Sequence, residues 1–391
     1  MTTDDRADAV RPERVARAYL LRVAEPPAPA LARFVDEHGP VEAADRVRRG
    51  DTPDPVTAET EARAGQDLAH RDLREGAAVG ARLVIPEDDE WPAWPLLSLQ
   101  VAGARGVAGT APPLALWTRG PARLDTATTH AVAVVGARAA TEYGEHTAAE
   151  IAHGAAGEGI TVFSGAAYGI DGAAHRGALA AGGGTVAVLG CALDVGYPAG
   201  HVGLVNRIAE RGAVVSEYPP GTPPARHRFL VRNRLLAALT SGTLVVEAGR
   251  RSGSRNTATT AGVLGKVVMA VPGPVGSALS VGCHKLIRDA HATLVSSVTE
   301  LIETVGVLDG AAGTGDAAPR RRTDGLDAES LRVYEALSTR RGRSPEEVAA
   351  DAGVGISRAR AVLPALELDD LAERTDSGWR RTRDGPGRAS T

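Results

Sequence analysis

Between residues 130 and 296 seven short apolar runs recur, "AVAVVG", "ITVFSG", "TVAVLG", "AVVSEY", "TLVVEAG", "VVMAVPG" and "ATLVSS", most of them separated by stretches of helical character. Unbroken Val, Ile, Leu and Ala, with no polar residue at every second position, suit strands covered on both faces, the condition of a parallel sheet. Parallel neighbours cannot be joined by a tight turn, and a right-handed crossover through a helix satisfies both the chain and the exposed face of the sheet. The expected class is therefore α/β, a doubly wound parallel sheet.

The flanks read differently. Before residue 76 "PERVARAYLLRVA", "APALARFVDEHG", "PVEAADRVRRG" and "VTAETEARAGQDLAHRDLREG" have apolar positions three or four apart with Gly or Pro between them, which predicts a small helical domain over 1–76, of sterile-alpha-motif or helix-hairpin-helix type. "ARLVIPEDDEWPAWPLLSL" then turns to strand and proline-rich chemistry, and "PLALWTRG" is a further strand. The main domain is expected over 80–306, and the Gly/Ala/Asp-rich stretch 307–324 is expected to be a flexible linker. After it, three helical segments and the hairpin "LAERTDSGWRRT" predict a winged-helix-like domain over 325–384. Its second helix opens with Ser344, Pro345 and Glu347, the pattern of a capping box. Pro364 should kink the third, and the acids that balance its arginines leave duplex reading and protein docking both open.

Composition narrows the function classes. Net charge is -4, so no overall basic signature marks a nucleic-acid binder. Locally, however, residues 226–255 hold seven arginines against the single acid Glu247. No run of eighteen apolar residues is present, and the charged start "MTTDDRADAVRPERVARAYL" lacks a secretory apolar core, so a cytoplasmic protein without a membrane partner is expected. The two cysteines, Cys191 and Cys283, lie far apart in apolar surroundings and read as buried thiols; neither a metal site nor a cofactor is expected.

In an open parallel sheet the loops after the strands share one crevice. Four loops stand out. In "VVGARAATEYG", Gly136 allows close backbone approach and Arg138 follows the strand within reach of an anion. "SGAAYGIDGAAHRGAL" places Gly165, Gly169 and Gly172 in a spacing that is not the dinucleotide pattern, and Asp171 reads as the N-cap of the next helix, occupying the place a pyrophosphate needs. "LGCALDVGYPAGH" is the third loop. In "EAGRRSGSRNTATTAG", Ser252, Gly253 and Ser254 run into a helix whose first amides and dipole favour a phosphate. "RHRFLVRNR" adds Arg226, Arg228, Arg232, Asn233 and Arg234, whose guanidinium forks suit phosphate oxygens. Bland readings stand beside these: Gly-rich turns occur in any such fold, His175 suits an interior histidine as well as a ligand contact, and Arg232 and Arg234 share a side only if the segment is extended, so one of them pairing with an acid is equally in keeping.

The same motifs, with "SEYPPGTPP", "FLVRNRLLAALTSGTLVVEAGRRSGSRNTA" and "VPGPVGSALSVGCHKLIRDAHATLV", resemble the DNA-processing protein A family, also called Smf, in order and spacing over roughly residues 80 to 300. The resemblance implies an extended Rossmann fold that binds single-stranded DNA in a basic pocket, forms homodimers and helps load the RecA recombinase in natural transformation, without catalysis. Carried over by motif, it implies DNA contacts at Gly136, Arg138, Ser164, Gly165, Tyr168, Arg232, Asn233, Arg234, Ser252, Gly253 and Ser254. Two positions depart from the family pattern: Tyr168 stands where an arginine is usual, and Ala199 follows Tyr197 and Pro198 where some members have a lysine. Tyr168, Tyr197 and Phe229 are the candidates to stack on bases, with the core the favoured place for Phe229. Two other classes fit parts of the chain: a phosphoribohydrolase-like enzyme using Glu247, for which the Pro-Gly-Gly-x-Gly-Thr loop such an enzyme needs is absent, and a winged-helix regulator that binds duplex DNA.

Overall fold

All seven apolar runs are strands of one sheet. A computed structural model describes residues 11–250, 252–306, 323 and 326–382, and the chain divides into two units, Met1–Ala311 and Ala312–Thr391. In the first unit five helices, α1 (Pro12–Val23), α2 (Pro29–His38), α3 (Pro40–Arg49), α4 (Asp54–Thr60) and α5 (Ala69–Ala78), precede β1 (Ala81–Val84). Next come α6 (Ala93–Ala104), β2 (Leu116–Arg119) and the short α7 (Leu124–Ala127). The seven runs follow with their helices: β3 (Ala131–Val135), α8 (Glu142–Gly157), β4 (Thr161–Ser164), α9 (Ile170–Ala180), β5 (Thr185–Leu189), α10 (Val202–Arg211), β6 (Ala213–Ser216), α11 (Arg226–Ala238), β7 (Gly242–Val245), α12 (Ser254–Val263), β8 (Val267–Ala270), α13 (Val281–Arg288), β9 (Thr293–Leu294) and α14 (Val298–Val305).

The strand order is β1-β2-β6-β5-β4-β3-β7-β8-β9. Every pair from β6 to β9 is parallel, while β2 runs antiparallel to β6 and β1 antiparallel to β2. The order reverses at β3, which lies between β4 and β7, so the crevice of this doubly wound sheet opens beyond the ends of β3 and β7. The strand pleat sorts the apolar runs onto two faces. Val132, Val134, Val162, Leu244 and Met269 join α8, α9 and α14 in one core, whereas Val135, Phe163, Val186, Val245 and Ala270 join α6, α11 and α12 in the other. That two-sided burial is why the runs show no alternation in sequence.

The helices before residue 76 do not close a core of their own. Tyr19, Leu20, Leu31, Phe34 and Val47 share one cluster with Leu83, Ile85, Leu114 and Trp117, so the antiparallel edge of the sheet forms one wall of the helical module. Polar ties join the same surfaces: Arg22 pairs with Asp72 and donates to the Pro220 carbonyl at 2.9 Å, and Arg17 donates to the Leu114 carbonyl at 2.8 Å. No described helix is long and apolar enough to cross a membrane.

The second unit has α15 (Ala328–Ala336), α16 (Pro345–Ala352), α17 (Ile356–Leu368) and the hairpin β10 (Ala372–Thr375) with β11 (Gly378–Arg381), a winged-helix-like arrangement. Its core is built from Val333, Leu337, Val348, Leu363, Leu366 and Trp379. The capping box at Ser344 and Glu347 is present. Pro364 lies inside α17, whose helical span is unbroken. Arg358 pairs with Glu329 at 2.8 Å and Arg360 with Glu346 at 2.6 Å, so acids of neighbouring helices partner the arginines of α17. Apart from residue 323, the linker expected over 307–324 lies outside the described residues, as do residues 383 and 384 of the expected wing.

Glu25, between α1 and α2, gathers Arg63 at 2.8 Å, Arg228 at 2.7 Å and His227 at 3.1 Å. Burial pushes its carboxyl up, but the hydrogen bonds from Arg228, Arg63 and His227 together outweigh burial and hold it at about 2. A depressed carboxyl stabilises fully above its unfolded value of about 4.3 and loses that share as pH falls toward the folded value. Thermal unfolding of the wild type and Glu25→Gln should therefore show a stability gap that narrows as the solution is taken from about pH 4.5 to about pH 2. A gap that persisted unchanged through that window would contradict the assignment.

Candidate nucleic-acid interface

At the switch point the loops after β3 and β7 and the first turns of α11 and α12 border a cleft of about 850 Å3. Its lining includes Gly136, Arg138, Arg226, Phe229, Arg232 and Asn233, together with the Ser252–Ser254 turn. Helix α11 contributes Arg226, Phe229, Arg232 and Asn233 to this wall. "RHRFLVRNRLLAA" is helical, not extended, and all of its residues from Arg232 to Ala238 are buried. Its apolar residues surround the whole helix, which is why no one-sided periodicity announces it.

Two positions apart on a helix point to nearly opposite sides, and the two arginines part accordingly. Arg234 is 3% exposed and forms a two-pronged pair with Glu217, both contacts 2.7 Å, while its Nε donates to the Ala111 carbonyl at 2.9 Å. It is fully engaged inside the protein and does not line the cleft, which corrects its expected place among the DNA contacts. Arg232, 5% exposed, donates from Nη1 to the Val188 carbonyl, and its Nε has no hydrogen-bond partner. It makes no ion pair among the described residues. Burial lowers its pKa, with Asp171 opposing that shift. Asn233 bridges outward, its Nδ2 at 3.3 Å from Asn256 Oδ1.

The second loop is shaped by what passes beneath it. A Cβ at Gly165 would sit 2.0 Å from Arg232 Nη1, so only glycine lets the guanidinium through. Gly169, at φ +72°, is the N-cap of α9, and Asp171 lies inside the first turn. Asp171 therefore does not cap its helix, contrary to expectation. Its Oδ2 turns back to accept the amides of Gly165 at 3.1 Å and Ala167 at 3.4 Å. Burial raises its pKa and Arg232 works against that shift. Ser164 is fully buried and donates to the Val134 carbonyl at 2.6 Å, a tie from β4 to β3 that leaves it outside the cleft. Tyr168 is 47% exposed; its hydroxyl accepts the Gly200 amide at 3.1 Å and its ring meets His201 edge-on at 4.7 Å. Standing where an arginine was expected, it fastens the second loop to the third.

Phe229 is half-buried and stacks with Tyr197 at 5.3 Å, with the exposed Arg138 guanidinium 5.1 Å from its ring centre. The expectation that Phe229 belongs to the core is thus corrected: the first turn of α11 carries it to the cleft wall. In the fourth loop Ser252 and Ser254 share a hydroxyl hydrogen bond of 2.7 Å. Arg228, expected to face the anion site, is held by Glu25. Asn256, on the cleft wall, was signalled only by its place after the Ser-Gly-Ser turn.

Other groups are structural. Glu247, 1% exposed, accepts from the Thr141 amide at 2.9 Å and hydroxyl at 2.6 Å, anchoring the residue that caps α8. His175 is fully buried, shares a 2.8 Å hydrogen bond with the Thr185 hydroxyl, and is pushed down to about 3 by burial and then by the charge of His201. Burial pushes the Cys191 thiol up to about 11 and the Cys283 thiol up to about 12. Among the described residues no three His, Cys, Asp or Glu side chains converge as a metal site would require. The buried Arg234–Glu217 pair has a direct test. Glu217→Ala strands a buried cation and should destabilise the protein by about 3–5 kcal/mol in urea unfolding, with an Arg234→Met, Glu217→Leu double variant recovering much of the loss.

The profile of the family described as DNA recombination-mediator protein A matches residues 82–306. The putative DNA processing protein DprA of Mycobacterium tuberculosis is 49% identical over 381 residues, 97% of each chain. The DNA processing protein DprA of Streptococcus pneumoniae is 41% identical over 190 residues, 49% of this chain and 66% of that one. An X-ray structure of DNA processing protein A from Streptococcus pneumoniae aligns with a TM-score of 0.58 and 30% identity, covering 77% of this chain and 98% of that one. With the family profile matched over residues 82–306 and a relative matched over nearly the whole length, this chain belongs to the DNA recombination-mediator protein A family.

Proposed function

We propose that the cleft binds single-stranded DNA through its phosphates and that the bound strand is handed to the RecA recombinase, as a non-catalytic step of DNA processing in natural transformation. The observation that carries this reading is Arg232. A buried guanidinium without a close counter-ion costs several kcal/mol, and here it stands at the cleft with an unpartnered Nε and with Arg138 and Arg226 beside it. A polyanion supplies the missing charge. The buried carboxyl of Asp171 opposes an anion at this place, and its raised pKa together with the two loop amides softens that opposition.

A single strand fits better than a duplex because the Tyr197–Phe229 stack lies against the same cations, and a π surface is useful only to unpaired bases. Gly136, Gly165, Asn233, Ser252, Gly253 and Ser254 shape and hydrogen-bond the walls, while Ser164, Tyr168 and Arg234 act from behind them. Family membership supports a homodimer working in the cytoplasm with RecA as partner. Glu247, with both oxygens held by Thr141, is a structural carboxylate in this reading and not the acid of a hydrolase.

Among the described residues three arginines line the cleft, Arg138, Arg226 and Arg232. Neutralising about three phosphates gives a salt slope near -2, hence roughly a twentyfold loss of affinity between about 50 and 200 mM salt. Arg138→Ala and Arg232→Ala should each weaken binding to unrelated oligonucleotides alike and flatten the slope by about 0.7. Fluorescence anisotropy on single-stranded and duplex oligonucleotides measures both quantities, and unchanged affinity and slope in Arg232→Ala would overturn the site. Gly165→Ala, which drives the guanidinium out of its passage, should lower affinity in the same assay without altering the sequence tolerance.

A further inference from the structure

Residues 165–167 close over the Arg232 guanidinium, and their backbone is held from two sides. From α9, Asp171 accepts the amides of Gly165 and Ala167, and the Gly172 amide donates to the Ala167 carbonyl at 3.0 Å. From the third loop, His201 Nδ1 lies 3.0 Å from the Ala166 carbonyl oxygen. A carbonyl can only accept, so this nitrogen carries the proton. Ala166 is where the turn is costly. It is fully buried at φ +52°, in the left-handed region that a residue with a Cβ avoids. Such a residue keeps its conformation only where its surroundings impose it.

The imidazole that holds Ala166 is itself fixed. His201 ends the short 3-10 turn Ala199–His201 just before α10 and is 9% exposed. It lies against α9, where a Cβ at Gly172 would come within 2.5 Å of its Cε1, and the Tyr168 ring meets it edge-on. Tyr168 and the Gly200 amide add a second tie between the same two loops. Ala167, Asp171 and Arg232 line the cleft, and His201 is not among the lining residues. It therefore acts on the cleft wall from behind, through a backbone carbonyl.

We propose that His201 is a positioning residue for the strand-binding cleft: its Nδ1–H holds the Ala166 carbonyl, imposes the left-handed turn over Arg232, and makes no contact with the bound strand. The proposal rests on the single-strand reading of the cleft and adds to it a residue of the third loop. When the turn is lost the wall leaves its binding form, and apparent affinity falls with the fraction of molecules that keep it.

The test uses the full chain, with fluorescence anisotropy on a single-stranded oligonucleotide at several salt concentrations and hydrogen–deuterium exchange of the free protein. His201→Leu occupies the space without donating. It should weaken binding roughly fivefold, the worth of one net hydrogen bond. The salt slope should keep its wild-type value, because no phosphate contact is removed. In the free protein the same variant should speed exchange across residues 164–169 by about fivefold and leave α8 unchanged. His201→Asn, whose Nδ2 can donate from the place of the imidazole Nδ1, should restore both readings to within about twofold of wild type. Ala166→Gly placed in the His201→Leu chain should recover part of the affinity, since glycine takes φ +52° without the Cβ penalty.

Equal losses in His201→Leu and His201→Asn, or a slope that flattens as in Arg232→Ala, overturn the positioning role. Wild-type affinity in His201→Leu beside a loss in Arg232→Ala overturns it too, and leaves the cleft standing. A wild-type chain that binds no single strand overturns the proposed function and this role with it, and the exchange data then show separately whether His201 holds the loop.

Discussion

Two guanidiniums enter the interior from one helix, and the rest of the site is arranged around the difference between them. A buried arginine must find a carboxylate, a set of carbonyls or a ligand. Arg234 finds Glu217 and the Ala111 carbonyl, which ties α11 to the end of β6 and to the segment before β2. That fixes the helix across the ends of the parallel strands. Arg232, two residues earlier, is carried by the same helix to the other side, where it meets a carbonyl and an open cleft. One arginine is complete within the fold, and the other keeps an unpartnered Nε at the cleft.

The loops that surround Arg232 are closed by polar groups that a catalytic reading would have claimed for chemistry. Asp171 holds the amides of its own loop, Glu247 holds the cap of α8, and Tyr168 holds the third loop through Gly200. Each removes freedom from a strand-to-helix turn, so the walls of the cleft are pre-formed. Preorganisation of this kind reduces the ordering that binding a flexible strand would otherwise require of the protein. The helical module contributes at one remove: Glu25 holds Arg228 and His227 at the start of α11, next to the turn that carries Phe229.

How much of this was legible depends on the range of the interaction involved. The seven strands, the capping box at Ser344 and the location of the crevice follow from local pattern, and the structure has them all. The assignments that failed share a cause. Asp171 looked like a cap because an acid after a Gly-rich turn at a helix start usually is one, yet Gly169 takes that place at a positive φ and leaves the carboxylate free to turn back. Ser164 looked accessible because it ends a strand, but the pleat directs its hydroxyl into the neighbouring strand. Phe229 read as core, and the ring it stacks against at the cleft wall, Tyr197, lies 32 residues earlier in the chain.

By itself the sequence determined that the chain forms a doubly wound parallel sheet, that Gly-rich and Arg-rich loops gather at the ends of its strands, and which family its motifs resemble. These are consequences of period, turn residues and spacing, all of which act over a few positions. Only the tertiary structure decided which arginine faces the cleft and which is buried against an acid. The helical phase of α11 separates Arg232 from Arg234, and the acid that claims Arg234 is 17 residues away in the chain and 2.7 Å away in space. A charge's role is set by what stands within a few ångströms of it, and for a residue on a buried helix that is settled by packing.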